Sequence, residues 1–390
     1  MNDVRIVDLT RVLAGPWATM MLADQGAEVI KVEPPGGDET RRYEPTVDGE
    51  ATYFQSVNRN KRSISLDLRT PEGREVLLRL LGTADIVIEN YRPGVASRLG
   101  LEWGELHERF PGLIYVAIHA FGDEVPGWNA RPGYDLVLQA MGGAVSFSGF
   151  PGAPPVRSGV PVADLMASQY ATQAMLLALL QRKETGQGQK IVVNMLQSQA
   201  SALTYHASRY AGTGEEEVRR GNAHRGLVPY DVYRCRDGWL AIACGNDRMW
   251  ARLVGALALD PNPTWATNRG RVQARADVDT AVQASLAERG VHDADVLLAE
   301  AGVCAGPVLG IGEVLEHPAV TRVAVDHPVL GRLELPGPVL TTHTTRSRHV
   351  RAPDLNADRA SLLVELGFDA VEQDRLQGSG ALGDVTPSRK

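Results

Sequence analysis

The sequence predicts an α/β protein built on a parallel sheet. Strand-like and helix-like segments alternate from residue 4 to residue 119. The first strand, helix and strand also fit within about 30 residues, the length of a βαβ unit. That unit is a strand at 4–9, a helix at 17–25 closed by Gly26, and a strand at 27–33 (AEVIKVE). A Gly-containing loop, 34–38, ends it.

A second alternation follows: a strand at 63–68, a helix at 71–81, a strand at 84–89, a helix at 102–109 and a strand at 113–119. Thr70 and Pro71 open the 71–81 helix, a hydroxyl cap followed by a proline in the first turn. A long helix spans 164–183 and closes at the Gly-rich 185–189 (TGQGQ), before a strand at 190–195 and a helix at 197–210. Residues 212–226 read as a mobile loop. The character then changes. Segments 230–235 and 239–244 flank Arg236-Asp237-Gly238 as a hairpin, with helices at 248–257, 277–289 and 291–301. These describe a smaller α+β domain. A β pair at 329–339 closes it or returns to the first domain, and the tail after Gly378 reads as frayed. Trp239 and Trp250 are assigned to the small domain's core.

Composition narrows the function. At about 150 residues per domain, 390 residues make two or three domains. A net charge of −7 argues against a dedicated nucleic-acid or anionic-membrane binder. Cys235, Cys244 and Cys304 are too few and too scattered for a disulfide framework or a zinc site and read as core fillers, which suggests a reducing compartment. The start lacks a signal-peptide pattern, and the longest apolar stretch, 174–180, is too short to span a bilayer. The expectation is a cytoplasmic enzyme without metal, membrane or nucleic-acid partner.

Several residues could carry chemistry. Glu33 ends the second strand as in dinucleotide-binding folds, but the preceding turn, TRVLAGP at 10–16, lacks GxGxxG, so NAD is not expected. Arg41, Arg42, Arg59, Lys61, Arg62, Arg92 and Arg98 gather in the first hundred residues. They read either as a solvated face or as a site for a multiply phosphorylated ligand. Asp164 opens the long helix, where a carboxylate caps the helix or faces a ligand; a helix N-terminus favours its ionised form. His119, His206, His224, His317 and His343 have no metal spacing, and His119 reads as a strand residue. SFSG at 146–149 is not a G-x-S-x-G elbow.

Taken in order, several segments resemble the class III CoA transferases, the family of formyl-CoA, carnitine and succinyl-CoA-dependent transferases. These are DLTRVLAGPW…DETR (8–41), NRNKRSISLDLRTPEG (58–73), ADIVIENYRPGVASRLGL (84–101), RPGYD (131–135), GVPVADL (159–165), KETGQGQ (183–189) and RRGNAHRG…NDRMW (219–250). The resemblance implies a large Rossmann-like CoA-binding domain with a smaller α+β domain, in an interlocked homodimer. The large domain would span 1–210, the linker loop and small domain 211–328, and the return with the tail 329–390. It implies that Asp164 attacks an acyl-CoA, giving an aspartyl anhydride and then an aspartyl-CoA thioester that an acceptor acid reopens. Arg41, Lys61 and Arg98 match phosphate or ribose contacts of coenzyme A. Leu66 and Asn90 match positions near adenine and pantetheine. Val12 and Leu13 match a segment that faces the thioester, and Tyr134 matches an active-site tyrosine near the acyl group. Formyl-CoA transferase has glutamine where this chain has Leu13. Residues 221–226 are the candidate closing loop. Arg219, Arg220, His224 and Arg225 could meet a second carboxylate, which suggests a short dicarboxylic acid. α-Methylacyl-CoA racemase is the alternative on the same fold; it carries histidine at Tyr134 and glutamate near Asn246.

Overall fold

A computed structural model describes residues 1–340 and 349–383. The chain divides into two compact units. One comprises Met1–Gly143, Ser158–Tyr205 and the described residues from Pro318; the other comprises Ala144–Arg157 and His206–His317. Residues 144–157 join the second unit through local bonds: Gly221 N–H donates to the Gly149 carbonyl (2.9 Å) and Arg219 to the Ser146 carbonyl (3.2 Å).

The first unit is organised by β1 (Arg5–Asp8), α1 (Ala14–Ala23), β2 (Glu28–Glu33), β3 (Lys61–Ser65), α2 (Pro71–Leu81), β4 (Ile86–Glu89), α3 (Trp103–Arg109) and β5 (Ile114–His119). It continues through α4 (Asp135–Met141), α5 (Val162–Thr185), β6 (Lys190–Asn194), α6 (Met195–Ser201) and α7 (Thr204–Thr213), which runs into the second unit. The six strands are parallel, in the order β3-β2-β1-β4-β5-β6. That is the doubly wound order, which reverses direction between β1 and β4. Alternate residues face opposite layers. Ile6, Ile86, Ile88 and Val116 pack under α1 and α5, whereas Val7, Val87 and Tyr115 pack with α2 and with Leu362, Leu363, Phe368 and Leu376 of the C-terminal segment. A sheet covered on both faces explains its near-continuous apolar strands.

Local chemistry sets the ends of several elements. Thr70 Oγ1 accepts the Gly73 N–H (3.0 Å) at the start of α2, as expected. Gly186, in the left-handed region at φ 72°, closes α5. Gly15 lets α1 begin against the β1 loop: a Cβ there would lie 2.2 Å from the Thr10 side chain.

In the second unit β7 (Tyr230–Arg234), β8 (Trp239–Ala243) and β9 (Ala305–Pro307) form an antiparallel sheet, backed by α8 (Asp247–Leu257), α9 (Arg275–Ala287) and α10 (Val291–Glu300). Its core contains Tyr233, Leu240, Trp250, Leu253, Val282 and Leu298. Arg271, fully buried, ties it together by donating to the carbonyls of Val228 (2.7 Å) and Trp265 (2.9 Å) and to Asp247 (2.9 Å).

Several expectations change. The 197–210 helix is two helices, broken near Thr204, whose φ is 39°. The β pair starts earlier, as β10 (Arg322–His327) and β11 (Gly331–Pro336), with its turn where a strand was expected. The tail does not fray at Gly378: Leu382 bridges Leu66, and the Gly383 N–H donates to the Ser65 carbonyl. Residues 384–390, and His343, lie outside the described residues. Trp239 is exposed, as is Cys304, whereas Trp250, Cys235 and Cys244 are buried.

Candidate active site

A cavity of about 160 Å³ opens between the loops that follow β1 and β4. This is the crevice at the sheet's switch point, where open α/β sheets bind ligands. Arg11, Val12 and Leu13 line it from the first loop, and Asn90, Tyr91, Arg92 and Pro93 from the second. Arg131, Tyr134 and Asp164 complete the wall.

Asp164 is the third residue of α5, not its cap; Pro161 holds the cap position. The capping carboxylate belongs to Asp135, whose Oδ1 accepts the Ala163 N–H (2.9 Å) and whose Oδ2 accepts from Gln139 (2.8 Å). The Asp164 carboxylate accepts no hydrogen bond from the described residues. Burial, and then the Asp135 charge, push its pKa up to about 7, which reverses the expected preference for the ionised form. Tyr53 shares its surroundings: burial and then the Asp164 charge push the Tyr53 phenol up to about 12. Tyr53 meets Tyr43 edge-on at 5.7 Å.

The β1 loop is held in an unusual shape. Val12 has φ 67°, a left-handed conformation that a β-branched residue adopts at a cost. Asn90 pins the neighbouring Arg11 twice, accepting its N–H (2.9 Å) and donating to its carbonyl (2.8 Å). Asp38 accepts the Val12 N–H at 3.3 Å. The start of α1 therefore lines the cavity through Leu13 and Ala14, and a helix N-terminus is a setting that favours a developing oxyanion.

Under this loop lies a buried ion network. Lys61 donates to Asp8 (2.9 Å), to the Pro16 carbonyl (2.8 Å) and to Asn58 (2.9 Å). Lys31 pairs with Asp38 at 3.0 Å. Arg41 grips Glu33 through two bonds (2.7 and 2.8 Å) and stacks on Phe54 at 3.6 Å. Burial alone would raise the pKa of Asp8, Glu33 and Asp38. The neighbouring cations outweigh it and hold all three below the usual carboxylate range. Burial pushes Lys61 down to about 8.

The structure thus gathers Val12, Leu13, Asn90, Tyr134 and Asp164 at one cavity and leaves out the other expected contacts. The Lys61 amine is buried and bonded to Asp8, Pro16 and Asn58 rather than turned to solvent. Arg41 is turned onto Glu33, and Leu66 is a core residue, 1% exposed. Arg59 pairs with Asp24 (2.5 Å) and Arg62 with Glu28 and Glu365 (both 2.7 Å). Arg98 is exposed, with no ion pair among the described residues. The basic cluster is therefore largely internal scaffolding rather than a solvated face. In the second unit Arg225 and Arg220 face Glu217 (3.4 and 3.8 Å), so part of the expected carboxylate-binding group is already paired. Arg11, Tyr53 and Arg131 were not singled out from the sequence. Arg11 lay inside the DLTRVLAGPW segment and Arg131 inside the RPGYD motif, whereas Tyr53 gave no local signal.

A doubly wound sheet with an unpartnered carboxylate at its switch point suits an enzyme that binds its substrate in that crevice. The chain belongs to CoA-transferase family III, whose family model matches residues 1–359, and it is a CoA transferase. It is 36% identical to succinyl-CoA:glutarate CoA-transferase of Mus musculus, over 98% of this chain and 90% of that protein. It is 37% identical to succinate–glutarate CoA-transferase of Agrobacterium fabrum, over 94% and 95%. A CaiB/BaiF family crystal structure from Brucella suis superposes with a TM-score of 0.85 at 35% identity, over 94% of this chain and 98% of that one. Among the described residues no helix is long and apolar enough to cross a membrane, and no His/Cys/Asp/Glu group could hold a metal ion.

Proposed function

We propose that this CoA transferase moves CoA between short dicarboxylic acids, with Asp164 as the covalent relay. One observation carries the proposal: Asp164 presents an unpartnered carboxylate, with its pKa near 7, to a cavity also walled by arginines. The Asp164 carboxylate attacks the donor thioester carbonyl and expels CoA thiolate, leaving a mixed anhydride. The thiolate attacks the aspartyl carbonyl and releases the donor acid, leaving an aspartyl-CoA thioester. An acceptor carboxylate attacks that thioester and expels the thiolate, which then takes the acceptor acyl group and frees Asp164. Amides at the start of α1 would stabilise the oxyanions. Val12, Leu13, Asn90 and Tyr134 would hold the pantetheine and acyl end, and Arg98 a phosphate.

Arg131 supports the dicarboxylate reading. It lines the cavity, stacks on Trp128 at 4.3 Å and has no ion pair among the described residues. A guanidinium preorganised in this way suits a distal carboxylate. The names of the mouse and Agrobacterium relatives point to the same substrate class. A racemase would need an acid–base pair across the α-carbon. Asn246 instead caps α8 by accepting the Met249 N–H (2.9 Å).

We also infer a homodimer. On α5, Leu177 and Leu180 are 64% and 60% exposed, and Leu136 and Tyr205 of the same unit are exposed as well. Large apolar side chains left exposed on one helix suit a partner of the same kind. The functional test is CoA exchange between succinyl-CoA and glutarate or related acids. Activity is expected to vanish in Asp164→Ala, and turnover surviving that substitution would sink the mechanism.

A further inference from the structure

Beneath the turn that follows β4, a second charged group surrounds His119 and has no part in the chemistry above. His119 is the last residue of β5 and is buried. Its Nε2 lies 3.4 Å from Glu89 Oε1, and its Nδ1 meets the Asp123 carboxylate. An ionised carboxylate only accepts hydrogen bonds. A ring with a carboxylate at each nitrogen is therefore satisfied only when both nitrogens carry protons.

Glu89 carries this charge to the active site. It ends β4, is itself buried, and accepts the Tyr91 N–H (2.6 Å) and the Tyr115 hydroxyl (3.1 Å). The Tyr91 bond shapes the 90–93 turn, whose residues line the cavity beside Asp164. Within that turn Asn90 pins the Arg11 backbone, next to the strained Val12.

We propose that His119, held as an imidazolium between Glu89 and Asp123, is a positioning residue that keeps the 90–93 turn and the β1 loop in the shape that binds acyl-CoA. Loss of the proton turns a lone pair toward one carboxylate and releases Glu89, so the turn loosens. The charged and titratable groups around the ring are Glu89 from β4, Asp123 beyond β5, Tyr115 on β5 and Lys190 on β6, 3.5 Å from Asp123. Arg92 and Glu102 line the same small cavity. Burial disfavours the imidazolium, but Glu89 and Asp123 outweigh it and raise the pKa of His119 above the ordinary 6.5.

The proposal rests on the cavity being the acyl-CoA site. Its test is steady-state kinetics of the full chain with succinyl-CoA and glutarate from pH 6 to 9.5. In the unaltered protein the KM for succinyl-CoA is expected to rise on the alkaline side while kcat changes less. His119→Gln is expected to raise KM about tenfold near pH 6 and to abolish the alkaline rise, so that the variant and the unaltered protein converge at high pH. Asp123→Asn alters a partly exposed side chain and tests the same point if His119→Gln does not fold. It is expected to move the alkaline rise to lower pH by about one unit. An unchanged alkaline rise in the variants that fold overturns the proposal and assigns the rise to another group, such as Lys61. Turnover that survives Asp164→Asn removes the underlying site reading instead, so the two failures are separable.

Discussion

Burial and the Asp135 charge both oppose ionisation of the Asp164 carboxyl, and no described hydrogen bond favours it. Its chemistry and its contribution to stability therefore run in opposite directions. The nucleophile is the anion, so kcat/KM is expected to fall as pH drops through about 7. Asp135→Asn is expected to shift that fall to lower pH by about one unit, because an amide oxygen can still accept the Ala163 N–H without carrying the charge. An unchanged pH profile in that variant would remove Asp135 from the explanation. The folded pKa lies above the ordinary 3.8, so the stability penalty is absent below pH 3.8, grows up to about 7 and is complete above it. Asp164→Asn is then expected to stabilise the fold by about 1–2 kcal/mol at pH 8, allowing for partial exposure, with no gain near pH 4. Urea unfolding at the two pH values measures this. Asp164 was legible because its motif places a carboxylate at a helix start, but its protonation was not, because the opposing charge comes from a separate helix. Lys61 shows the converse: its charge was plain, but its partner Asp8 became a neighbour only when β1 and β3 flanked β2.

At the scale of elements, α2 was readable to the residue because its start and end signals are local: Thr70, Pro71 and Gly82. The strands of the first unit were readable for a similar reason, since short apolar runs alternate with helices. Their order was not, because pairing β1 with both β2 and β4 depends on contacts that no local period encodes. The break near Thr204 escaped for want of a glycine or proline signal, whereas β10 escaped although Pro318 and Pro328 bracket it. Packing gives sharper expectations than propensity. Gly15→Ala places a Cβ 2.2 Å from Thr10, beside the segment 11–14 that lines the cavity. It is expected to lower stability by about 2–3 kcal/mol and to raise KM. Thr70→Ala, which removes a cap away from the cavity, is expected to lower stability by about 1 kcal/mol with KM unchanged. Equal effects of the two on KM would contradict the role assigned to the β1 loop.

For the whole molecule, the net charge of −7 concealed where the cations are used. Arg41, Arg59, Lys61 and Arg62 neutralise carboxylates within the first unit. The depressed pKa values of Asp8, Glu33 and Asp38 contribute stability that is present above about pH 4 and lost as pH falls further, so acid unfolding should begin there. Circular dichroism across that range measures it. In solution the chain is expected to be a dimer by light scattering, weakened by a Leu177→Glu, Leu180→Glu double variant. The central claim concerns the covalent relay. Its most direct measurement is mass spectrometry of the protein mixed with succinyl-CoA and quenched, with borohydride reduction to locate the adduct. A CoA thioester on Asp164, absent from Asp164→Asn, is the predicted result. Full turnover with no adduct on Asp164, or an adduct on another residue, would contradict it.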